Sequence, residues 1–571
     1  MKYINVYKSW LSSPKLSMDE RRELESIKDN EKEIEYRFGK NLEFGTAGMR
    51  GIIGLGTNMM NVYTVTRATQ GLAEYVKSLG DKAKKRGVAI SFDTRRMSRE
   101  FAYFTALTLA SNGVKAYLYS DVHPVPMLSF AVRKLRAVAG VMITASHNPK
   151  EYNGYKVYGE DGAQMSPEST AVIVDYINKI DSFVSDRIIC DVKLERRIKT
   201  LPKSVDRAYY RKLKKLALSE KEVKAVGKDI QIIYTPVHGS GYIPVTTILK
   251  KIGIKATLVP EQIAPDAEFS TVAVPNPEFK ETLSLGIKMA DFKRADVVFG
   301  TDPDCDRLGV AVRDDNNEFI ALSGNQTGVL LLDYVLLRLK ALGKLDKKCF
   351  AVKSFVTTDM AKLICDDYGV ELFDVPVGFK YIGEKIKTLD DTGERKFVFG
   401  FEESCGYLYG THARDKDAVV ASMLFAEMVC YYACHNKSVY GRLKELYEKY
   451  GYFYDVSIST LYSGLTAMDE MNAAVDKMKA VDIESVSGIK VVAKRNYAEG
   501  KRVSKDGEEE LDVARTNAVY YELSGGGFVC LRPSGTEPKL KTYYSLFGKS
   551  EKIAKERFRK AKADFEKKLS E

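Results

Sequence analysis

The feature that most constrains this chain is a pattern repeated three times. The apolar run VAISFDTRRMS (88–98) leads through a stretch of helix length to NGVKAYLYS (112–120). In the same way IQIIYTPVHGSG (230–241) leads to IGIKATLV (252–259), and FAVKSFVTTD (350–359) to YGVELFDV (368–375). Each copy reads as a strand, a polar turn, a helix and a second strand, with a glycine closing the helix. Strands joined through a helix run parallel. The copies start 142 and 120 residues apart. That spacing suits three similar α/β domains and excludes a solenoid, whose repeats are about 20–50 residues.

The remainder differs. Over 451–548 the β-rich runs YFYDVSIST, IKVVAKR, AVYYEL, GFVCLRP and KLKTYYSLF alternate with helical stretches, as in a smaller α+β domain. In the tail, Ala554, Phe558, Ala561, Phe565 and Leu569 fall at steps of 4, 3, 4 and 4, which is one apolar helix face. Boundaries are expected near 225, 325 and 445, giving domains over 1–225, 226–325, 326–445 and 446–571.

Composition narrows the function classes. Hydrophobic residues are 45% and charged residues 29%, ordinary for a globular protein and unlike disordered or collagenous chains. No uncharged apolar run reaches the roughly 18 residues of a membrane span, and MKYINVYKSWLSSPK lacks a secretory apolar segment. A cytoplasmic protein without a membrane partner is expected. Eight cysteines include no Cys-x-x-Cys, the one close pair being Cys430 and Cys434, and histidines number five. Reduced thiols, rather than disulfides or zinc ribbons, follow. Lys plus Arg is 88 against 77 Asp plus Glu, and segment 193–228 alone holds 13 Lys/Arg against 4 Asp/Glu. It reads as a solvated helical connector, with a nucleic-acid contact as the alternative. The rest is near neutral, so no nucleic-acid partner is expected.

Three of four chemistry-bearing segments follow apolar runs, where strands end and open α/β sheets bind ligands. Thr144-Ala145-Ser146-His147-Asn148-Pro149 follows AVAGVMI, with Lys156 ten residues on. The Ser146 hydroxyl needs a base or a phosphoryl-transfer role to react, and a Ser/Asn turn is the plain alternative. Asp302, Asp304 and Asp306 alternate after ADVVFG. Three carboxylates this close repel, and oxygen ligands suit Mg²⁺, Mn²⁺ or Ca²⁺. The glycine and glutamate of an EF-hand are replaced by Arg307 and Arg313, so that motif is excluded. Arg307 supplies a phosphate donor beside the metal. Gly400-Phe401-Glu402-Glu403-Ser404-Cys405-Gly406 follows KFVF and suits sugar hydroxyls or a plain solvent loop. Arg532-Pro533-Ser534-Gly535-Thr536 has the makings of a phosphate nest, or of a basic surface turn. FGTAGMRG (44–51) adds a Gly-rich turn carrying Arg50.

In this order FGTAGMRG, TASHNP, DPDCDR, GFEES and RPSGTEP resemble the α-D-phosphohexomutase superfamily over about 40–545. TASHNPKEYNGYKVYGEDGAQ and PVGFKYIG are most similar to its phosphoglucomutase and phosphopentomutase branch. The resemblance implies three related α/β domains with mixed sheets plus a smaller C-terminal domain around a central cleft. It implies an isomerase that moves a phosphoryl group between the anomeric and terminal oxygens of a sugar. Ser146 would carry the phosphoryl group, and Asp302, Asp304 and Asp306 would hold Mg²⁺ against it. Arg307 and Arg50 would assist at Ser146, with Lys156 and His147 as proton-transfer candidates. Glu402, Ser404 and Lys380 would meet the sugar, and Arg532, Ser534, Gly535 and Thr536 its distal phosphate. Glucose 1,6-bisphosphate, or the matching sugar bisphosphate, would be the activator, and the protein a monomer or weak homodimer. Pro303, Cys305 and Phe401 depart from the commonest wording, which bears on hexose preference.

Phosphopentomutase, phosphomannomutase and glucose 1,6-bisphosphate synthase are alternatives within the class. A metal-dependent phosphatase and a non-catalytic sugar-phosphate sensor are alternatives outside it. Ser146 and the distal phosphate segment oppose the phosphatase; intact Ser146, Lys156 and the three aspartates oppose the sensor.

Overall fold

The computed structural model describes residues 2–45, 48–180, 194, 196–463, 467–534 and 539–570. The three copies fold as the pattern requires. In the first, β2 (Val88–Phe92) passes through helix Ser98–Ser111 to the parallel strand β3 (Ala116–Leu118). In the second, β7 (Ile232–Thr235) passes through Tyr242–Ile252 to β8 (Ala256–Leu258). In the third, β12 (Cys349–Ser354) passes through Met360–Tyr368 to β13 (Glu371–Val375). Gly253 and Gly369 close their helices in the left-handed conformation, at φ 104° and 67°, and Gly113 lies just beyond the first helix at φ 78°. A side chain would strain there.

Each unit then adds a third strand beside the first and turns back on an antiparallel fourth. The third strands are β4 (Ala139–Ile143), β9 (Val297–Thr301) and β14 (Lys396–Glu402), all parallel to the first strands. The returning strands are β5 (Tyr152–Gly159), β10 (Leu308–Arg313) and β15 (Gly406–Leu408). The mixed sheets order as β1-β5-β4-β2-β3-β6, β11-β10-β9-β7-β8 and β13-β12-β14-β15, where β1 is Met49–Ile52, β6 Ile198–Thr200 and β11 Phe319–Leu322.

The C-terminal unit is an antiparallel eight-stranded sheet backed by helices Ala467–Ala480 and Glu551–Ser570. The tail face enters its core: Ala561 and Phe565 are buried, with Phe558 and Leu569 packed alongside. Ala554 is buried too. The hairpin Lys501–Ser504/Gly507–Glu510 carries charged ladders such as Lys501–Glu508 and Arg502–Glu509. Without apolar alternation, it gives no strand signal in sequence. Ahead of the first sheet, helices Lys2–Leu11, Met18–Ser26 and Glu31–Phe38 bury Trp10 among Tyr7, Phe38 and Tyr63.

Helix Ala418–Cys434 is apolar all round and almost wholly buried, the signature of a central core helix. Among the described residues, no single helix is long and apolar enough to cross a membrane. The seven described cysteines are free thiols, and Cys190 lies outside the described residues. The basic segment forms helices Lys203–Lys214 and Glu220–Val226; the first buries Val205, Tyr209, Tyr210 and Leu213.

Backbone hydrogen bonds lace the first three units together. Val125 N–H donates to Asp304 O at 3.0 Å, Ala418 N–H to Cys305 O at 3.3 Å, and Leu308 N–H to Cys405 O at 3.0 Å. The fourth unit docks by side chains: Phe355 stacks on Tyr497 at 4.1 Å, and Arg495 lies 3.7 Å from Asp374.

Candidate active site

Three of the four chemistry-bearing segments occupy one topological position, the corner between the third strand and its antiparallel return. Each corner has a non-glycine residue in the left-handed region: Ser146 at φ 53°, Cys305 at 50° and Cys405 at 61°. Such a conformation costs about 1–2 kcal/mol, so it persists only where surrounding bonds hold it. The three corners meet: Ser146 Oγ reaches Asp302, and Arg307 bridges to Gly406.

At the first corner Ser146 is buried, and its amide donates to Thr144 Oγ1 at 2.8 Å. Thr144 Oγ1 in turn donates to Asp93 Oδ2 at 2.6 Å. The buried guanidinium of Arg95 gathers the loop's carbonyls. It donates to Ser146 O at 2.6 Å, Pro149 O at 2.8 Å, Tyr152 O at 3.1 Å and also Asn148 O. Asp93 faces Arg95 at 3.4 Å. The Ser146 hydroxyl donates to Asp302 Oδ2 at 3.0 Å and lies 3.2 Å from His147 Nδ1. Burial, with Arg307 and Arg50 nearby, holds the His147 imidazole well below its ordinary range, so it is neutral. Arg50, on β1, donates to Asn148 Oδ1 at 3.0 Å.

At the second corner one oxygen from each of Asp302, Asp304 and Asp306 lies within 4.8 Å of the others, and all three residues are buried. Asp302 Oδ1 accepts from the amides of Asp306 and Arg307 at 3.1 and 3.0 Å, which fixes the turn. Burial and the neighbouring carboxylates push Asp302 up, and the same causes raise Asp306. Asp304 goes the other way: burial opposes ionisation most strongly, but Lys156, 2.9 Å from Oδ2, the hydrogen bond with Asp302 and the charge of Lys416 together outweigh it. Asp304 Oδ1 and Asp306 Oδ1 are buried with no hydrogen-bond partner. Orphaned carboxylate oxygens are costly, and an all-oxygen trio with unused lone pairs fits Mg²⁺. Lys416 closes the far side, 3.1 Å from Asp306 Oδ2. Arg307 pairs with Glu278.

At the third corner Glu402 is buried and accepts from the Gly378 amide at 2.7 Å. Burial pushes its carboxyl up to about 7, Lys416 opposing. Glu403 is held by Ser354 Oγ at 3.1 Å, and Ser404 is half-exposed. Phe401 points away from the cleft: its ring fills the space where a side chain on Gly328 would sit, inside the core. Cys305 is likewise wholly buried. Neither side chain can read a sugar directly.

Arg532 and Ser534 lie where the fourth unit's strand Gly527–Pro533 ends; Gly535 and Thr536 lie outside the described residues. Arg532 acts electrostatically on Tyr381 and Tyr543. Lys541, on the adjoining strand, is lowered by burial and feels Glu403, Glu278 and Arg307. Lys380 stands apart from the Ser146–aspartate cluster. It lies over the Tyr381 ring at 4.8 Å, in a groove of about 840 Å³ that also includes Glu168.

Sequence reading missed Arg95, Lys416 and Lys541. Arg95 stands three residues beyond a strand whose turn was visible. Lys541 lies nine residues past Arg532 in the same hairpin. Lys416, in ARDKD, carried no local signal; only the packing of the third unit on the second brings it to Asp306.

Three family models match in succession. These are the phosphoglucomutase/phosphomannomutase alpha/beta/alpha domains I (residues 41–183), II (207–316) and III (323–450). A phosphoglucomutase of Staphylococcus haemolyticus is 36% identical over 516 residues, 90% of this chain and 91% of that protein. One from Staphylococcus aureus is 34% identical over 528 residues, 91% and 92% of the two chains. Among solved structures, a putative phosphomannomutase from Thermus thermophilus aligns with TM-score 0.68 at 22% identity, covering 93% of this chain and all of that one. The open form of Paramecium parafusin, a phosphoglucomutase, aligns with TM-score 0.66 at 17% identity, covering 93% and 94%. The structural matches bear on fold.

Proposed function

Because the chain belongs to the phosphoglucomutase/phosphomannomutase family of the α-D-phosphohexomutase superfamily, we propose that it interconverts glucose 1-phosphate and glucose 6-phosphate through a phosphorylated Ser146 and a glucose 1,6-bisphosphate intermediate. One observation carries this reading. A buried serine hydroxyl stands 3.0 Å from a trio of buried carboxylates, two of whose oxygens are unpartnered.

Phosphoryl transfer depends on positioning and charge neutralisation. Asp302, Asp304 and Asp306 would hold Mg²⁺, with Ser146 Oγ or its phosphoryl oxygen completing the set. Bound there, the ion supplies Lewis-acid polarisation of phosphoryl oxygens. Arg95 fixes the loop so that Ser146 Oγ faces the cleft. The sugar hydroxyl attacks the phosphorus on Ser146, the P–Oγ bond breaks, and the sugar's proton must leave. Neutral His147 can receive it and pass it to the departing Ser146 Oγ, and can take that proton back when the serine is rephosphorylated. Lys156, Arg307 and Arg50 present positive charge to the transferring group.

The bisphosphate then turns end for end, so one clamp grips either phosphate. Arg532, Ser534, Gly535 and Thr536 would form that clamp, with Lys541 at its edge. Glu402, Ser404 and Lys380 would meet the sugar in both orientations. The domains read at 1–225, 226–325, 326–445 and 446–571 would thereby contribute one loop each. A cytoplasmic setting and a monomer or weak homodimer accord with this reading.

The test is kcat/KM for glucose, mannose, ribose and deoxyribose 1-phosphates, with Mg²⁺ and a trace of the matching bisphosphate. Glucose 1-phosphate should lead, and Ser146→Ala should abolish its turnover. Activity in that variant within about tenfold of wild type, only ~1.4 kcal/mol in barrier, would remove Ser146 from the chemistry.

A further inference from the structure

The mechanism leaves the most basic stretch of the chain without a role. Helix Lys203–Lys214 turns its apolar face inward and leaves Arg211 and Lys212 exposed, with exposed Lys215 just beyond. Helix Val125–Leu135, bearing Arg133 and Lys134, and the loop at Thr411 and His412 complete the walls of a groove of about 430 Å³. Five cationic side chains and no carboxylate line it. Arg133 donates to Asp161 O at 2.9 Å. No ion pair within 4.0 Å joins Lys134, Arg211, Lys212 or Lys215 to a carboxylate among the described residues. Like charges gathered without counter-charge repel, and an anion relieves that repulsion.

His412 is the second observation. It is 4% exposed and forms part of the groove wall. Its Nε2 lies 2.7 Å from Asp417 Oδ2, while its Nδ1 is buried with no hydrogen-bond partner. A buried polar atom left unmatched costs about 1–3 kcal/mol. Asp417 Oδ2 also accepts from Tyr209 OH at 2.8 Å, and the neighbouring Lys416 reaches Asp306. Residues 412–417 therefore join the groove wall to the aspartate cluster, and none of the residues lining the groove belongs to that cluster.

We propose that this groove binds a small organic anion carrying two phosphate groups, at a site separate from the reaction cleft. Five cations match two phosphates better than one, and the volume lies within the usual range for small-molecule pockets. A nucleic acid would call for a longer basic track, and the charge outside this segment is near balance.

Hydrogen exchange on the full chain, in Mg²⁺-free buffer with inorganic pyrophosphate as probe, tests the site. Exchange across 203–215 should slow severalfold. The Lys212→Glu/Lys215→Glu variant, altered only at exposed positions, should lose that protection and keep any protection at 527–534. Inorganic phosphate at equal phosphorus should protect 203–215 less. Unchanged exchange at 203–215 in the wild type, or equal protection in the variant, overturns the site. Equal protection by inorganic phosphate overturns the two-phosphate assignment. Protection by single-stranded RNA but not by pyrophosphate overturns the ligand class.

Discussion

Ser146 Oγ donates to Asp302 Oδ2 at 3.0 Å across 156 residues of chain. That bond is available only to the unphosphorylated serine. Phosphorylation removes the hydroxyl proton and adds about −1.5 to −2 of charge beside three buried carboxylates. The phosphorylated state therefore demands a counter-cation more strongly than the free serine does.

Stripping divalent ions should abolish mutase turnover and lower the melting temperature. Restoring Mg²⁺ to ~100 times its Kd should return about 2.7 kcal/mol, and Asp304→Asn should lose most of that gain. A wild-type melting temperature indifferent to Mg²⁺ would mean the aspartates serve another purpose.

Arg95→Lys keeps a charge facing Asp93 but loses the planar fork that reaches four carbonyls. Turnover should fall about 10- to 100-fold, or ~1.4–2.8 kcal/mol, with KM little changed. An unaltered kcat would show that the loop holds its shape without the fork.

Glu402 makes stability depend on pH. Its carboxyl is pushed up to about 7, chiefly by burial, from an ordinary value of 4.5. Folding therefore takes up protons in that window, so stability drops as pH rises from 4.5 to about 7 and is level above. Glu402→Gln should gain on the wild type by ~1–3 kcal/mol between pH 5 and pH 8. Melting curves of both proteins at the two pH values decide it; a constant difference contradicts the perturbed carboxyl.

Phe355 is wholly buried where the third unit meets the fourth. Phe355→Ala should cost about 3–5 kcal/mol, felt at that junction. Limited proteolysis should release the C-terminal unit first, and KM for the sugar phosphate should rise. Simultaneous cleavage of all units would show that the ring is not what docks the fourth.

Much of this architecture could be read before any coordinates, because local physics marks it. Alternating helix and strand lengths, with glycines at 113, 253 and 369, announce parallel α/β units. Apolar runs ending in polar turns place Ser146, Asp302 and Glu402 at strand ends. What escaped was long-range or charged. Lys416 meets Asp306 only through packing between units. Arg95 falls in the polar turn of the first repeat, where nothing local marks that it points inward to carbonyls. The hairpin at 501–510 hides its strands behind lysine, arginine and glutamate.

The lacing of Val125 to Asp304, Ala418 to Cys305 and Leu308 to Cys405 has a mechanical corollary. Parting the second unit from the first or from the third would strand main-chain groups inside the protein, so those units behave as a single anvil. The turnover proposed for the intermediate then asks for room from the fourth unit, which is held by side chains such as Phe355 on Tyr497 and joined to the rest where helix Val439–Tyr450 hands over to strand Tyr452–Leu461.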